Sequence, residues 1–170
     1  MTISLSGFLL PTLTRTLDRL DHLLDKGEAY AAEKSIDAEV LLGLRLYPDM
    51  LPLSSQFIIA SDVAQRGSAR LAGLEPEACP SPTDRNFAVL RAYVANAKSL
   101  VEGRDAAAID ASAATELTVP VGRDRTATLT GEAFARMFML PNVYFHAATA
   151  YALLRQAGVS LGKMDFLGDV

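Results

Sequence analysis

Cysteine, tryptophan and histidine are scarce in this sequence, and each scarcity excludes a class of protein. Cys79 is the only cysteine, and there is no tryptophan. An intramolecular disulfide framework is therefore impossible, and we interpret Cys79 as an incidental loop thiol in a reducing compartment. His22 and His146 are the only histidines, which are too few for a metal centre held by several imidazoles.

Long apolar runs and an excess of one charge are also missing. No stretch approaches the roughly 18 apolar residues that cross a bilayer, and residues 1–10 lack the basic start and apolar core of a signal peptide. Sixteen basic and twenty acidic side chains give a formal net charge of −4, whereas a nucleic-acid surface needs a basic stripe. We therefore expect a cytoplasmic protein with neither a membrane nor a nucleic acid as its partner.

The sequence motifs of several enzyme classes are absent as well. The chain contains no phosphate-binding loop, no Gly-x-Gly-x-x-Gly, no Cys-x-x-Cys, no His-Glu-x-x-His and no Gly-x-Ser-x-Gly. A di-iron helical bundle would need paired Glu-x-x-His motifs, and the sequence has none. No common catalytic signature therefore indicates what the protein does.

Apolar residues with helical spacing are what the sequence has in abundance. Half of the 170 residues are hydrophobic, and the mean hydropathy is +0.19. That content is enough for one domain, residues 1–170, which buries roughly 70% of the surface of its unfolded chain. The core therefore needs neither a disulfide nor a metal to hold it together.

The spacing of the apolar residues predicts four long helices. Five leucines are spaced by 3 and 4 residues, which is typical of a single helix face: Leu10, Leu13, Leu17, Leu20 and Leu24. Similar stripes run from Leu53 to Leu71 and from Phe87 to Val101. This spacing favours helices that cross at shallow angles, as in a four-helix bundle. The predicted helices cover residues 6–32, 50–72, 82–102 and 131–157.

A small β-hairpin is predicted before the last helix, over residues 116–129, because apolar and polar residues alternate there. Thr130 is the expected N-cap of the last helix, and Gly158 is its expected left-handed C-cap. Asp37 should cap a short helical turn after the first helix, and Ser81, followed by a proline, should open the third. The predicted fold class is all-α, a four-helix bundle with this small hairpin.

A polar strip interrupts the apolar last helix. Asn142 and His146 are i, i+4 neighbours, so their side chains project from one face, and Thr149 lies one turn further on. Polar groups buried among apolar residues raise the free energy unless they find partners. Three interpretations stay open: a buried His–Asn hydrogen-bond pair that fixes the helix register, a ligand-binding or catalytic strip, and simple exposure at the surface.

Five short motifs together span nearly the whole chain: Leu-Tyr-Pro-Asp-Met (46–50), Arg-Leu-Ala-Gly (70–73), Leu-Thr-Gly-Glu (129–132), Pro-Asn-Val-Tyr-Phe-His-Ala-Ala-Thr-Ala-Tyr (141–151) and Gly-Lys-Met-Asp-Phe-Leu-Gly (162–168). With these motifs the sequence resembles the DinB/YfiT-like superfamily and, within it, an uncharacterised bacterial branch, a domain of unknown function. The resemblance implies a four-helix bundle, a bacterial origin and a homodimer.

The same resemblance implies where a metal would be held. The superfamily typically binds a divalent metal with one histidine of the second helix and two, spaced i and i+4, of the last. His146 matches the second of that pair, whereas Asn142 replaces the first and Gln56 lies near the second-helix position. Neutral amides are poor ligands for zinc or nickel. We therefore expect no metal or other cofactor, and a ligand-binding strip in which Asn142 and His146 point into the bundle close to Gln56.

Two aspartates have both structural and chemical interpretations. Asp49 is expected to cap the second helix, and its alternative place is beside His146 as a ligand-binding residue. Asp62 and Arg66 have the i, i+4 spacing of a helix ion pair. Either carboxylate could also act with His146 in metal-free acid–base catalysis, because histidine titrates near neutral pH.

Polar residues elsewhere are assigned to the surface and to the C-terminus. His22 lies off the leucine stripe, so we expect its side chain to be exposed. Lys163 and Asp165, in the closing motif, are expected to fix the C-terminal tail to the bundle by hydrogen bonds.

Two classes of function follow. The first is a soluble bundle with a degenerate metal site that binds a small molecule or serves as a structural homodimer. The second is an enzyme: a thiol-dependent transferase or isomerase, as the resemblance implies, or an acid–base catalyst with His146 as its candidate catalytic residue. We favour the first class because His146 alone remains of the three histidines that the superfamily uses.

The expectation about metal can be tested by elemental analysis. Protein purified without an affinity tag should contain only traces of zinc or nickel, because two amides replace two imidazoles. The wild type and His146→Ala are compared. Near-stoichiometric metal that disappears in the variant would contradict the expectation, whereas traces in both, with a lower Tm for the variant, would agree with it.

Overall fold

The computed structural model describes residues 3–76, 86–121 and 124–168. Cys79 and Ser81, the expected cap of the third long helix, lie outside these residues. No helix in the described part of the chain is both long enough and apolar enough to cross a membrane.

Within the described residues, the chain folds into four long helices, several short ones and one hairpin. In chain order the elements are as follows: α1 (Leu5–Lys34), α2 (Ala38–Leu42), α3 (Leu53–Leu71), α4 (Phe87–Glu102), α5 (Ala106–Ala111), β1 (Glu116–Pro120), β2 (Thr126–Thr130), α6 (Gly131–Phe134), a π-helical turn (Ala135–Met139), α7 (Leu140–Ala157) and α8 (Lys163–Leu167). The predicted fold class, a four-helix bundle with a small hairpin before the last long helix, is confirmed.

The long helices form a ring around one apolar core. Helix α1 contacts α4 and α7, and α3 contacts the same two helices. The leucine stripe of α1 accounts for its place in this ring: four leucines are fully buried and Leu10 is partly buried. Ser4 begins the helix, because its hydroxyl accepts a hydrogen bond from the Gly7 amide.

Helices α3 and α4 begin later than the sequence predicts. Pro52, in extended conformation, precedes the first residue of α3, and no side chain caps this end. The expectation that Asp49 is the cap is therefore wrong, and Asp49 is exposed in the preceding loop. Asn86, whose backbone is extended (φ −137°, ψ 154°), is the N-cap of α4, and the predicted start at residue 82 lies outside the described residues.

Helices α3 and α7 pack closely, and their interface positions the candidate site. Gln56, near the start of α3, contacts His146, whereas Gly67, near its end, contacts Met139. The partners run backwards along the chain, so the two segments are antiparallel. A Cβ atom at residue 67 would lie 2.7 Å from the Met139 sulfur, so glycine is what allows this approach.

The last helical segment begins and ends where the sequence predicts. Thr130 caps α6 by accepting a hydrogen bond from the Ala133 amide, and Gly158, with a φ of 103°, ends α7 in the left-handed conformation. A π-helical turn lies just before Pro141, whose nitrogen cannot donate a backbone hydrogen bond. Asp37 also caps α2 as expected.

Hydrogen bonds fix the C-terminal tail to α1, as predicted for Asp165. Its Oδ1 lies 2.8 Å from His22 Nε2, and the Leu167 carbonyl accepts from Arg15 Nε at 2.9 Å. Among the described residues, none of these bonds involves the Lys163 ammonium. The expectation that His22 is exposed is wrong, because its side chain is partly buried in the contact with Asp165.

The hairpin is antiparallel and contacts α6 through both of its strands. Its register places Glu116 opposite Thr130 and Pro120 opposite Thr126. Val119 is buried, which anchors the hairpin to the core. Pro120 is exposed and lines a cavity at the α3–α7 interface.

Candidate functional site

A hydrogen bond between His146 and Gln56 joins α7 to α3. His146 Nδ1 lies 2.7 Å from Gln56 Oε1, across a sequence separation of 90 residues. Gln56 is 2% exposed, and the partly buried His146 ring makes an edge contact with the Phe145 ring. The structure therefore pairs His146 with Gln56, whereas one interpretation of the sequence paired it with Asn142.

The partners of Gln56 determine which nitrogen of His146 carries the proton. Gln56 Nε2 donates to the Leu51 carbonyl at 2.9 Å. Because a carbonyl only accepts, the amide nitrogen faces Leu51 and the amide oxygen faces His146. That oxygen also only accepts, so His146 Nδ1 must carry a hydrogen. In the neutral ring, Nε2 then keeps its lone pair.

Burial favours the neutral form of this imidazole. Desolvation lowers the pKa of His146 below its ordinary value of 6.5, because the charged ring would lose hydration without gaining a carboxylate partner. At neutral pH the ring is therefore uncharged, with a donor at Nδ1 and an acceptor at Nε2. Such a ring can act as a hydrogen-bonding group or as a weak base.

Asn142 lies one turn before His146 and faces a cavity of about 230 Å³. This cavity is lined by residues of α3, of the hairpin and of the segment from α6 to α7: Asp62, Val63, Arg66, Gly67, Arg70, Pro120, Phe134, Phe138 and Asn142. Among the described residues, no hydrogen bond involves the side-chain amide of Asn142, so this amide is available to a ligand. The expected cluster is thus divided into the His146–Gln56 pair and a separate cavity at Asn142.

The lining of the cavity combines apolar surface with positive charge. The Phe134 and Phe138 rings stack with centroids 5.9 Å apart. Arg66 and Arg70, spaced i, i+4 on α3, are partly buried. Burial, and then the neighbouring charge of Arg66, lower the pKa of Arg70, although an arginine keeps its charge at neutral pH.

Asp62 lines the same cavity, but the ion pair predicted for it is wrong. Its Oδ1 accepts hydrogen bonds from Tyr93 Oη at 2.7 Å and from Gln65 Nε2 at 2.9 Å. Within the described residues, no ion pair joins Asp62 to Arg66. The hydroxyl donor comes from α4, and i, i+4 spacing cannot reveal such a contact. Sequence reasoning missed Arg70, and its i, i+4 spacing from Arg66 is the signal that could have found it.

Two other candidates lie outside both parts of the site. Asp49 is exposed and does not line the cavity. Thr149 is buried, and its hydroxyl donates to the Phe145 carbonyl of the preceding turn at 2.7 Å. The loop that carries Asp49 is nevertheless joined to the site, because Leu51 accepts the hydrogen bond from Gln56.

The donor set does not fit the divalent metal that the superfamily resemblance implies. Gln56 Oε1 accepts from His146 Nδ1, so the two groups cannot turn together toward a metal without losing this bond. Asn142 shares its cavity with Arg66 and Arg70, whose charges repel a cation. In the described part of the chain, no group of three or more His, Cys, Asp or Glu side chains could hold a metal ion. Absence of bound metal in the protein stays a prediction.

Comparison with known proteins gives a family and a structural relative. A family model described as a domain of unknown function (DUF1993) matches residues 6–167. The crystal structure of a DinB family member protein from Shewanella denitrificans is similar, with 36% sequence identity and a TM-score of 0.88. This match covers 98% of the present chain and 93% of that chain. No curated protein matches the sequence significantly.

The lowered pKa of His146 predicts a pH dependence of stability. Above the unfolded-state value of 6.5, both states hold this ring neutral. As the pH falls from about 7 toward the folded-state pKa, the unfolded chain binds the proton first. The free energy of unfolding should therefore fall, by at most about 1.4 kcal/mol per pH unit for one proton.

Urea unfolding of the wild type, His146→Gln and His22→Gln between about pH 7.5 and pH 5.5 measures this contribution. His146→Gln keeps a polar side chain but cannot titrate, so its decline should be smaller. His22→Gln should retain the part of the decline that His146 causes. Equal declines in the wild type and His146→Gln would show that burial does not lower the pKa of His146.

Proposed function

The chain belongs to the DUF1993 family and has the DinB-like fold, and on this premise we propose that it binds a small molecule without a metal. The binding site is the cavity beside Asn142, and the His146–Gln56 hydrogen bond holds α7 against α3 next to it. The family description leaves the function open, so the proposal rests on the chemistry of the site.

The observation that carries the proposal is the cavity itself. It has a volume of about 230 Å³, below the roughly 300–1,000 Å³ of pockets for drug-sized ligands, so a metabolite-sized molecule fits. Its lining combines stacked aromatic rings with polar groups that include the Asn142 amide. Ligand sites commonly have this composition, mostly apolar with a few polar groups that fix orientation.

The His146–Gln56 pair supports binding without a metal. This hydrogen bond connects the two helices that, by the superfamily resemblance, would carry the metal ligands. The interface is therefore held by a direct contact between side chains. Gln56 is oriented by a second contact, because its Nε2 also donates to the Leu51 carbonyl. Such a hydrogen bond holds α3 and α7, which line the cavity, next to each other without a cation.

The two catalytic alternatives receive less support. A thiol-dependent transferase would use a metal to lower the pKa of the thiol, and the donor set does not fit one. Acid–base catalysis needs a carboxylate near His146, but Asp49 is exposed and Asp62 Oδ1 already accepts from Tyr93 and Gln65. His146 also does not line the cavity.

Ligand binding can be mapped by NMR. We expect fragments of about ten non-hydrogen atoms to bind with dissociation constants on the order of millimolar. They should shift the signals of the Asn142 side-chain amide and of the Gly67 backbone amide. A mixed set of neutral, anionic and cationic aromatic fragments is titrated into ¹⁵N-labelled protein, with and without EDTA.

Val63→Trp serves as the control for this titration. The larger side chain should fill the cavity and abolish the shifts, while the protein remains folded because Val63 is only partly buried. Shifts that need added zinc would contradict binding without a metal. If no fragment shifts the Asn142 and Gly67 signals, the proposal of a small-molecule site fails.

A homodimer is the second part of this proposal. Met137, Tyr144 and Phe145 project from the last helical segment with exposures of 66%, 42% and 57%, and exposed apolar groups at helical spacing are typical of an interface. Light scattering should give twice the 18.2 kDa chain mass, and Met137→Glu should reduce it to one chain. Val40→Glu, at an exposed apolar residue of α2, should leave the dimer intact. A wild-type mass of one chain at micromolar concentration would contradict the dimer.

A further inference from the structure

Two arginines of the cavity at Asn142 have no carboxylate partner within ion-pair distance among residues 3–76, 86–121 and 124–168. Arg66 and Arg70 both line the cavity and are partly buried. They lie i, i+4 on α3, a spacing at which like charges repel and destabilise a helix. The two charges therefore destabilise α3 slightly unless an anion lies between them.

Two basic side chains on the outer surface of the bundle contact carboxylates. Arg91 lies between the carboxylates of Asp25 and Glu28, and Lys98 contacts Asp18 at 2.6 Å. The formal charge of the whole chain is −4. A shortage of acidic residues therefore does not explain why Arg66 and Arg70 have no carboxylate partner within the described part of the chain.

Acidic groups near the cavity leave it with a net positive charge. Asp62 is the acidic residue in the lining, and its Oδ1 accepts hydrogen bonds from Tyr93 and Gln65. Two arginines and one aspartate give the lining a formal charge of +1. Glu75 acts on Arg70 only through its field, since it lies beyond ion-pair distance.

Arg70 is partly buried, and within the described residues its guanidinium makes one hydrogen bond, from Nη1 to the Arg66 carbonyl at 3.5 Å. Burial is the main cause that lowers its pKa, and the charge of Arg66 is the second. A cation that has lost part of its hydration without gaining a counter-charge raises the free energy of the empty cavity. A bound anion would relieve both the desolvation and the repulsion between the two guanidinium groups.

The other residues of the lining indicate which chemical groups the rest of the ligand carries. Phe138, Pro120 and Val63 provide apolar surface, and Asn142 can donate two further hydrogen bonds. Guanidinium groups bind carboxylates and phosphates through paired N–H donors. The volume of about 230 Å³ leaves room for one such group and a small apolar body.

We propose that this cavity binds a small molecule through an oxyanion, a carboxylate or a phosphate, which accepts hydrogen bonds from Arg66, Arg70 and Asn142. The apolar part of the ligand packs against Phe138 and Pro120. This inference rests on the proposed function and adds the chemical class of the ligand.

Titration of ¹⁵N-labelled protein with benzoate, phenyl phosphate and neutral benzamide tests the inference. These probes share an aromatic ring and differ in the group presented to the arginines. At least one anionic probe should bind about tenfold or more tightly than benzamide, because hydrogen bonds to charged groups are the stronger ones. The tighter of the two anions identifies the preferred oxyanion.

Arg66→Gln and Arg70→Gln should each weaken binding of that anion about tenfold while leaving benzamide binding within about twofold. Arg136→Gln, at an exposed arginine outside the cavity, should change neither. The ligand-free Arg66→Gln and Arg70→Gln proteins should also melt at the same or a higher temperature than the wild type, because the repulsion is removed. A residue with a purely structural role would lower the melting temperature instead.

The outcomes separate this inference from the proposed function. Benzamide binding at the Asn142 signals as tightly as both anions would overturn the oxyanion and leave a small-molecule site in place. The inference would also be overturned if both arginine variants had a lower Tm and bound all three probes equally more weakly. That result would show that the arginines stabilise the fold and do not recognise the anion. If no probe shifts the Asn142 signals, the proposed function fails together with the inference.

Discussion

The hydrogen bond between His146 Nδ1 and Gln56 Oε1 is the interaction on which the candidate site depends. It crosses from α7 to α3 in the region where the superfamily resemblance implies a metal, and it joins two neutral groups. Leaving either group without its partner at a buried position costs about 1–3 kcal/mol. The bond is also directional, because the contact of Gln56 with Leu51 fixes the amide and thereby the proton on the imidazole.

The same interface changes character along its length. At the His146 end it is neutral and occupied by a completed hydrogen bond. At the Asn142 cavity it is positively charged, with Arg66 and Arg70 on α3 and an amide without a partner among the described residues on α7. A cation is therefore disfavoured at the His146 end, where only one imidazole nitrogen, Nε2, keeps a free lone pair, and at the Asn142 cavity by the charges of the arginines. An anion, in contrast, is attracted by the arginines of the cavity. The neutral hydrogen bond and the positively charged cavity therefore both favour a ligand that is not a cation.

Local signals in the sequence predicted most of the fold. Thr130 and Gly158 delimit the last helical segment as expected, because a cap depends on residues within one turn of it. The leucine stripe of α1 is buried for a similarly local reason, since helical spacing alone places it on one face. The start of α3 was misplaced because Pro52 keeps the chain extended one residue before the helix, so Asp49 cannot reach its first turn.

The site was predicted less completely, because long-range contacts decide it. The superfamily resemblance placed Gln56 near His146, but periodicity could not show that Asp165 would contact His22 across 143 residues. Nor could it show that Asp62 would accept from Tyr93 of α4. Helical spacing identifies which residues share a face of one helix. The side chains of the neighbouring helix determine which polar groups on that face receive a hydrogen-bond or ion-pair partner.

The tautomer of His146 tests the central claim most directly. A two-bond ¹H–¹⁵N correlation spectrum at about pH 7.5, where the ring is neutral, distinguishes a hydrogen on Nδ1 from one on Nε2. The account predicts an Nδ1–H tautomer for His146, without added metal, that is lost in Gln56→Leu. His22 provides an internal comparison, because its Nε2 is the nitrogen that faces Asp165. An Nε2–H tautomer of His146, or a spectrum that chelators change, would contradict the account.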